Sequence, residues 1–472
     1  MNRRSFLARS ACALGALASH RLLAESLTPL PISINVTRAL GRIPGDFTGL
    51  GYEISSVAVP GLLSPSNHHY VQMVRTLGSR GVIRIGGNTS DYSSFQPGSK
   101  LVSLPKATVV NTESLRELGR FLDATAWHLI WGLNLGSGTE QRAVREAQAV
   151  TAATGDKLLA FEIGNEPDLF VHEGHRPAGY GYDQYLREYR RYKSAIRAQL
   201  PNAPFAGPDV ARETDWVTRF AQDEGHDLKL LTHHYYRGGA RNPRSSLDEL
   251  LAPDPHLGRM LDAMRAASTK SGIPYRICET NSFSGGGKPG VSDTLGSALW
   301  TLDYMFTLAA HGASGLNLET GVNQLDFVSP YSPIMDDQRG HYSAAPDYYG
   351  MLAFAPAAGG ELLDTECDAA GLNATVYAVR QTDGKLLVTI INKDRGRSAE
   401  AHIDAGKRFS RGTAMRLSGP SPESRNGTTL GGSSLDASGM WHATKTEPVH
   451  LKGGEPSILV PAASAAILTL EQ

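Results

Sequence analysis

Eight short apolar runs, at residues 47–54, 81–85, 128–135, 158–163, 205–210, 228–234, 274–278 and 312–318, alternate with longer stretches whose apolar residues recur at helical spacing. In 182–200, Tyr185, Leu186, Tyr189, Tyr192 and Ile196 share one face with Arg and Lys opposite, the pattern of a half-buried helix. Strands alternating with helices predict a parallel sheet. Eight such units in about 300 residues match a (β/α)8 barrel. A doubly wound sheet is the competitor, but no glycine-rich phosphate loop follows the first run. The expected fold class is α/β, with a TIM barrel over 46–345.

Beyond about residue 346 the period shortens. Runs 372–380 and 386–392 alternate and flank Thr382-Asp383-Gly384-Lys385, a hairpin signal. Runs 399–403, 413–417 and 457–470 continue the pattern, which predicts a β-sandwich over 346–472. An early alternating run, 31–37, precedes the barrel, so 25–45 is expected to join the sandwich from the N-terminal side.

Composition narrows the function classes. With 46 Lys+Arg against 47 Asp+Glu the net charge is −1, which argues against a strongly basic nucleic-acid binder. The N-terminus reads Met1-Asn2-Arg3-Arg4-Ser5-Phe6-Leu7 ahead of a short small-residue apolar run, which resembles a bacterial twin-arginine signal over 1–24. Its removal would take away four arginines and leave the chain near −5. The expectation is an exported protein, periplasmic or secreted. No other run approaches 18 consecutive apolar residues, so no membrane insertion of the mature chain is expected. Cys12 would leave with the signal; Cys278 and Cys367 cannot make a disulfide framework, though one bridge is open to them. Oligomeric state has no readable signal.

The active face of such a barrel is where its strands end. The fourth run closes Phe161-Glu162-Ile163-Gly164-Asn165-Glu166-Pro167, and the seventh closes Tyr275-Arg276-Ile277-Cys278-Glu279-Thr280-Asn281. Glu166 and Glu279 thus stand on opposite sides of one mouth. Paired carboxylates are what glycoside hydrolysis requires: one protonates the leaving oxygen, the other attacks the anomeric carbon or activates water. Neither a metal nor a cofactor is needed. His172-Glu173-Gly174-His175 has the wrong spacing for a zinc-protease helix. Glu162 shares a face with Glu166 but lies deeper, so it is expected to be a paired structural charge, with Arg84 the candidate partner. Arg84 is also the candidate to keep Glu279 ionised.

Arg84-Ile85-Gly86-Gly87-Asn88, Asn165-Glu166-Pro167, His233-His234-Tyr235-Tyr236 and Glu279-Thr280-Asn281-Ser282 with Gly285-Gly286-Gly287 together resemble glycoside hydrolase family 79, within the retaining glycosidases of clan A. That family holds β-glucuronidases and heparanases, and the likeness runs over nearly the whole mature chain. It implies that Glu166 is the acid/base, that Glu279 is the nucleophile, and that Asn165 binds the sugar 2-hydroxyl. It further implies that backbone N–H groups of Gly285 and Gly286, with Tyr331, grip the substrate carboxylate. Where relatives can carry a Tyr before the glycines this chain has Ser284, which puts one hydroxyl contact in doubt. One tyrosine closing the sixth run is expected to hydrogen-bond the nucleophile. The pattern does not decide which; Tyr235, on one face with His233, is the candidate. Asp91 is placed either on a sugar hydroxyl or in a solvated loop.

The implied partner is a glucuronic-acid-containing oligo- or polysaccharide. Arg237, Arg241, Arg244 and Lys288 leave two modes open. On the rim of the cleft they would suit an endo-acting, heparanase-like enzyme on sulfated chains; as solvated loop residues they would suit an exo-β-glucuronidase. A carbohydrate-binding barrel without turnover is the reading from another class, and the presence of both carboxylates disfavours it.

Overall fold

The computed structural model describes residues 27–321 and 328–472. The leader expected over 1–24 lies outside the described residues. Among them, eight parallel strands form one sheet: Gly49–Glu53, Val82–Gly86, His128–Leu133, Leu158–Ile163, Ala206–Val210, Leu230–Gly239, Tyr275–Ser284 and Leu316–Glu319. Each falls on one of the eight apolar runs. Leu316–Glu319 pairs back onto Gly49–Glu53. The fourth and fifth strands close the ring through a bridge between Phe161 and Phe205, where the Phe161 N–H donates to the Pro204 carbonyl at 2.9 Å. These strands are numbered one to eight below.

A helix follows each strand. Tyr182–Arg197 buries Tyr182, Tyr185, Leu186, Tyr189, Tyr192 and Ile196, the stripe its spacing predicts, and ends three residues short of the expected limit. The last helix, Pro346–Phe354, packs Phe354 on Phe47 and Phe306 at ring distances of 5.0 and 4.8 Å. It therefore completes the barrel's helical layer, and the boundary expected at 346 moves to just before Glu361.

The C-terminal strands form a single mixed sheet that curls until its limbs share a core of Leu30, Ile32, Val388, Ile390, Ile403, Ile458 and Leu468. The early strand, Thr28–Arg42, sits within this sheet, parallel to Ala399–Asp404 and antiparallel to Glu361–Cys367. Asp303 on the seventh barrel helix ties the two units. It pairs with Lys393 at 2.5 Å and accepts from Thr375 and Tyr377. Cys278 is buried in the barrel while Cys367 is exposed on the sheet, and both are free, so the bridge left open is not formed. No helix among the described residues is long and apolar enough to cross a membrane.

Candidate active site

The mouth is organised by Arg84 on strand two, whose guanidinium is fully buried. Its Nε donates to Glu162 at 3.2 Å, Nη1 to Glu279 at 2.8 Å, and Nη2 to Asn165 at 2.9 Å and Asp209 at 2.6 Å. One planar fork thereby gathers residues from strands two, four, five and seven, a geometry that a lysine's point charge cannot copy. Burial opposes the Arg84 charge, but Asp209, Glu162 and Glu279 outweigh it and hold the pKa well above the ordinary value. Glu162 is thus the structural partner its inward position suggested. Burial first, and Asp209 next, push its carboxyl up to about 7 against the pull of Arg84.

Glu166 closes strand four in the left-handed region, at φ 51°, and its N–H donates to the carbonyl of Asp209, which has φ 60°. Such backbone is uncommon away from glycine and is held only where surrounding contacts insist on it. It turns the carboxyl onto His234. The ring takes carboxylates at both nitrogens: Nδ1 with Glu166 at 2.9 Å and Nε2 with Asp209 at 2.7 Å. Burial disfavours charge on His234, but Asp209 and Glu279 more than offset it and raise its pKa well above 6.5. The imidazolium is therefore a donor on both sides. Asp209 is held below the usual carboxylate range by Arg84 and His234 despite its burial.

Burial raises the Glu166 carboxyl above its ordinary value, His234 opposes, and the Glu279 charge adds to the rise. Glu279 itself accepts from Arg84 and, at 2.9 Å, from the Tyr236 hydroxyl. The strand pairing skips a residue between Ile277 and Glu279. A bulge of this kind re-aims a side chain at a sheet's end. One oxygen each of Glu166 and Glu279 and a nitrogen of His234 lie within 4.8 Å of one another. That spacing would admit a cation, but a metal would have to take a lone pair from a ring whose two nitrogens both face carboxylates.

Asn165 turns its Oδ1 to Arg84, so its Nδ2 faces the mouth side and donates to Asn88 Oδ1 at 3.3 Å. Gly285, Gly286 and Gly287 all have positive φ. A side chain on Gly287 would lie 2.7 Å from the Tyr331 backbone nitrogen, so the loop closes onto Tyr331 only because glycine stands there. The Tyr331 N–H donates to the Gly286 carbonyl at 3.3 Å, and its ring lies beside Tyr236 at 6.3 Å. The structure thus brings together Arg84, Asn165, Glu166, Glu279, Gly286 and Tyr331, with Gly285 on the exposed side of the same loop.

Three candidates sit elsewhere. Asp91 is buried, with its carboxylate spent on the N–H groups of Leu135, Gly136 and Asn165, so it is a strut under strands three and four rather than a sugar contact. Burial pushes it up to about 6 against those donors. Tyr235 points away from the mouth, donates to Asp254 at 2.5 Å and stacks on Tyr304. His233 likewise faces outward, to Thr214 at 3.2 Å. The strand-six tetrad carries the right residues in the opposite phase, with His234 and Tyr236 inward. A strand's period of two makes that a single-residue shift.

Replacing Tyr236 by Phe removes one hydrogen bond to a charged oxygen, worth about 1.5–3 kcal/mol, and is expected to lower kcat on an aryl glycoside by roughly 10–100-fold. Tyr235→Phe is expected to leave kcat within about twofold and to cost about 1 kcal/mol of stability. Steady-state kinetics with urea unfolding on both variants checks the assignment.

No family model matches the chain. A β-glucuronidase of Aspergillus niger is 26% identical over 353 residues, covering 67% of this chain and 64% of the relative. A heparanase of Rattus norvegicus is 25% identical over 308 residues, 61% of this chain and 55% of its own. The chain is thus similar to β-glucuronidases and heparanases. This bears out the resemblance to glycoside hydrolase family 79. The chain spans 64% and 56% of the length of the two β-glucuronidases it matches, from Aspergillus niger and Neurospora crassa. In fold it is similar to a 4-O-α-L-rhamnosyl-β-D-glucuronidase from Fusarium oxysporum, with a TM-score of 0.74 at 20% identity over 93% of this chain and all of that one. An α-L-arabinofuranosidase from Thermotoga maritima gives a TM-score of 0.70 at 14% identity, covering 94% of this chain and 100% of its own.

Proposed function

We propose that the protein is a retaining exo-β-glucuronidase. The observation that carries the proposal is the approach of a Glu166 oxygen and a Glu279 oxygen to within 4.8 Å. Retaining glycosidases set their carboxyl groups about 5–5.5 Å apart, whereas inverting enzymes need about 6.5–9.5 Å to seat a water.

In the first step Glu279 attacks the anomeric carbon while the Glu166 O–H protonates the departing oxygen, which leaves a glucuronyl ester on Glu279. The Glu279 charge, which helps keep Glu166 protonated, is spent in forming that ester. Glu166 then falls in pKa when it must act as a base. It takes a proton from water, the water oxygen attacks the anomeric carbon, and the ester bond breaks to return Glu279 as carboxylate. Arg84 and Tyr236 hold Glu279 in place through both steps, and Asn165 Nδ2 is set to donate to the 2-hydroxyl. The hexuronate reading is supported by the glycine loop closed on Tyr331 and by the names of the relatives.

The exo mode is favoured over an endo, heparanase-like mode by where the cations lie. Arg237 pairs with Asp254 at 2.8 Å, and Lys288 donates to the Ser245 carbonyl at 2.5 Å. Both are spent within the protein; Arg241 and Arg244 are exposed. The test compares an aryl β-D-glucuronide with defined heparan oligosaccharides, products sized by mass spectrometry. Phenol release with cleavage only at non-reducing terminal glucuronates is expected; internal fragments would overturn the exo mode. Export belongs to the same proposal, supported by Arg3-Arg4-Ser5-Phe6-Leu7.

A further inference from the structure

Glu319 ends strand eight on the inner face of the barrel, level with Gly51 of strand one. It is 3% exposed, and neither of its carboxyl oxygens has a hydrogen-bond partner among the described residues. Its carboxyl fills the notch left by glycine: a Cβ on Gly51 would lie 2.7 Å from Oε2. A buried polar group left unsatisfied is costly, so an orphaned carboxyl in a binding mouth calls for a ligand that completes it.

The chemistry of that ligand follows from the neighbours. Facing Glu319 are Glu53 of strand one, Arg84 of strand two, His234 of strand six and Glu279 of strand seven, with the phenols of Tyr236 and Tyr331. Arg84 and His234 are already taken up by other carboxylates. Burial, then Glu279 and Glu53, raise the Glu319 pKa well above the ordinary value, so the group stands as a neutral acid with an O–H to give. Burial, with Glu319 next, likewise keeps the Tyr331 phenol protonated. Two neutral donors with no free cation suit an anion held by hydrogen bonds rather than by a counter-charge.

We propose that Glu319 is a specificity residue whose carboxyl O–H donates a hydrogen bond to the carboxylate of a bound hexuronate, beside Tyr331. This rests on the glucuronidase reading. Once ionised, Glu319 loses its donor and repels the same carboxylate. Binding of a uronate therefore weakens as pH rises through the Glu319 titration, and binding of an uncharged analogue does not.

The test measures Ki for D-glucuronate and for neutral D-glucuronamide against an aryl β-D-glucuronide. For the native chain, Ki for both ligands is followed across the whole pH range in which the protein stays folded, and the glucuronate Ki is expected to rise by up to about one decade per pH unit above the Glu319 titration. The glucuronamide Ki is expected to change by less than about twofold. Glu319→Gln keeps a neutral donor at every pH and should flatten the glucuronate slope. Equal slopes for acid and amide in the native chain would overturn the proposal, and this comparison needs no variant to fold. An unchanged slope in a folded Glu319→Gln would also overturn it, by moving the titration to Glu53 or Glu166. A chain that neither cleaves the aryl glucuronide nor binds glucuronate fails at the functional reading itself.

Discussion

Glu279→Gly is expected to lower turnover of an aryl β-D-glucuronide by on the order of 10⁴-fold or more, the scale of losing a nucleophile that acts as one unit with its partners. Arg84 and Tyr236 would then hold an empty position. Added azide fits the space of the missing side chain and attacks the anomeric carbon directly, so the rescued product is the α-glucuronyl azide, inverted once. Glu166→Ala behaves differently. With a good phenolate leaving group the first step needs little acid help, so the glucuronyl ester on Glu279 accumulates and its hydrolysis stalls. Azide attacks that ester and yields the β-azide, inverted twice. The pair of products assigns the two roles independently of the size of either rate loss. A Glu279→Gly variant that yields β-azide, or a Glu166→Ala variant that yields α-azide, would reverse or remove the assignment.

Arg84→Met is the second change with a large expected effect. The side chain is as long as the arginine stem and apolar, so little packing is lost, but Glu162, Asp209 and Glu279 lose their shared cation. Intact buried ion networks are weak evidence for stability. Removing one partner is another matter, because it leaves uncompensated charge, at a cost of about 3–5 kcal/mol. The sign of the pH effect follows from protonation. Without Arg84 the folded-state pKa of Glu162, already about 7, rises further, and that of Asp209 rises because it loses a cation that holds it down. The folded chain then binds protons that the unfolded chain does not, so the deficit is present at alkaline pH and shrinks as pH falls through those raised values. Urea unfolding of both chains at about pH 8 and about pH 5 checks this, with the gap narrowing in acid. Activity should be lost at both pH values, because Glu279 and Asn165 lose their anchor together. A gap that widens in acid would show that Arg84 is not the counter-charge of this cluster.

What was legible beforehand was whatever the chain encodes locally. Eight apolar runs gave eight strands, and Glu166 and Glu279 stood out because each closes a strand. Arg84 could be anticipated, since a buried carboxylate needs a cation and one lay within the second apolar run. The misplaced residues depend on phase or on distant chain. Alternation allows Tyr235 or Tyr236, and His233 or His234, to face the mouth, and the fold turns Tyr236 and His234 inward. Asp209 closes an otherwise ordinary apolar strand; its role as acceptor for both Arg84 and His234 arises from residues on strands two and six. Asp91 has the composition of a loop acid, and only its three backbone donors identify it as a strut. Glu319 and Gly51 are paired by barrel closure, with 267 residues of chain between them.

Double displacement at Glu279, with acid–base help from Glu166, fixes the configuration of the first product. Proton NMR on the native chain mixed with an aryl β-D-glucuronide, read before mutarotation, reports the anomeric signal of the released glucuronic acid. Two inversions predict the β-anomer first, with the α-anomer growing in later at the mutarotation rate. The α-anomer appearing first would mean a single displacement, by direct attack of water across a wider carboxyl gap, and would rule out Glu279 as nucleophile.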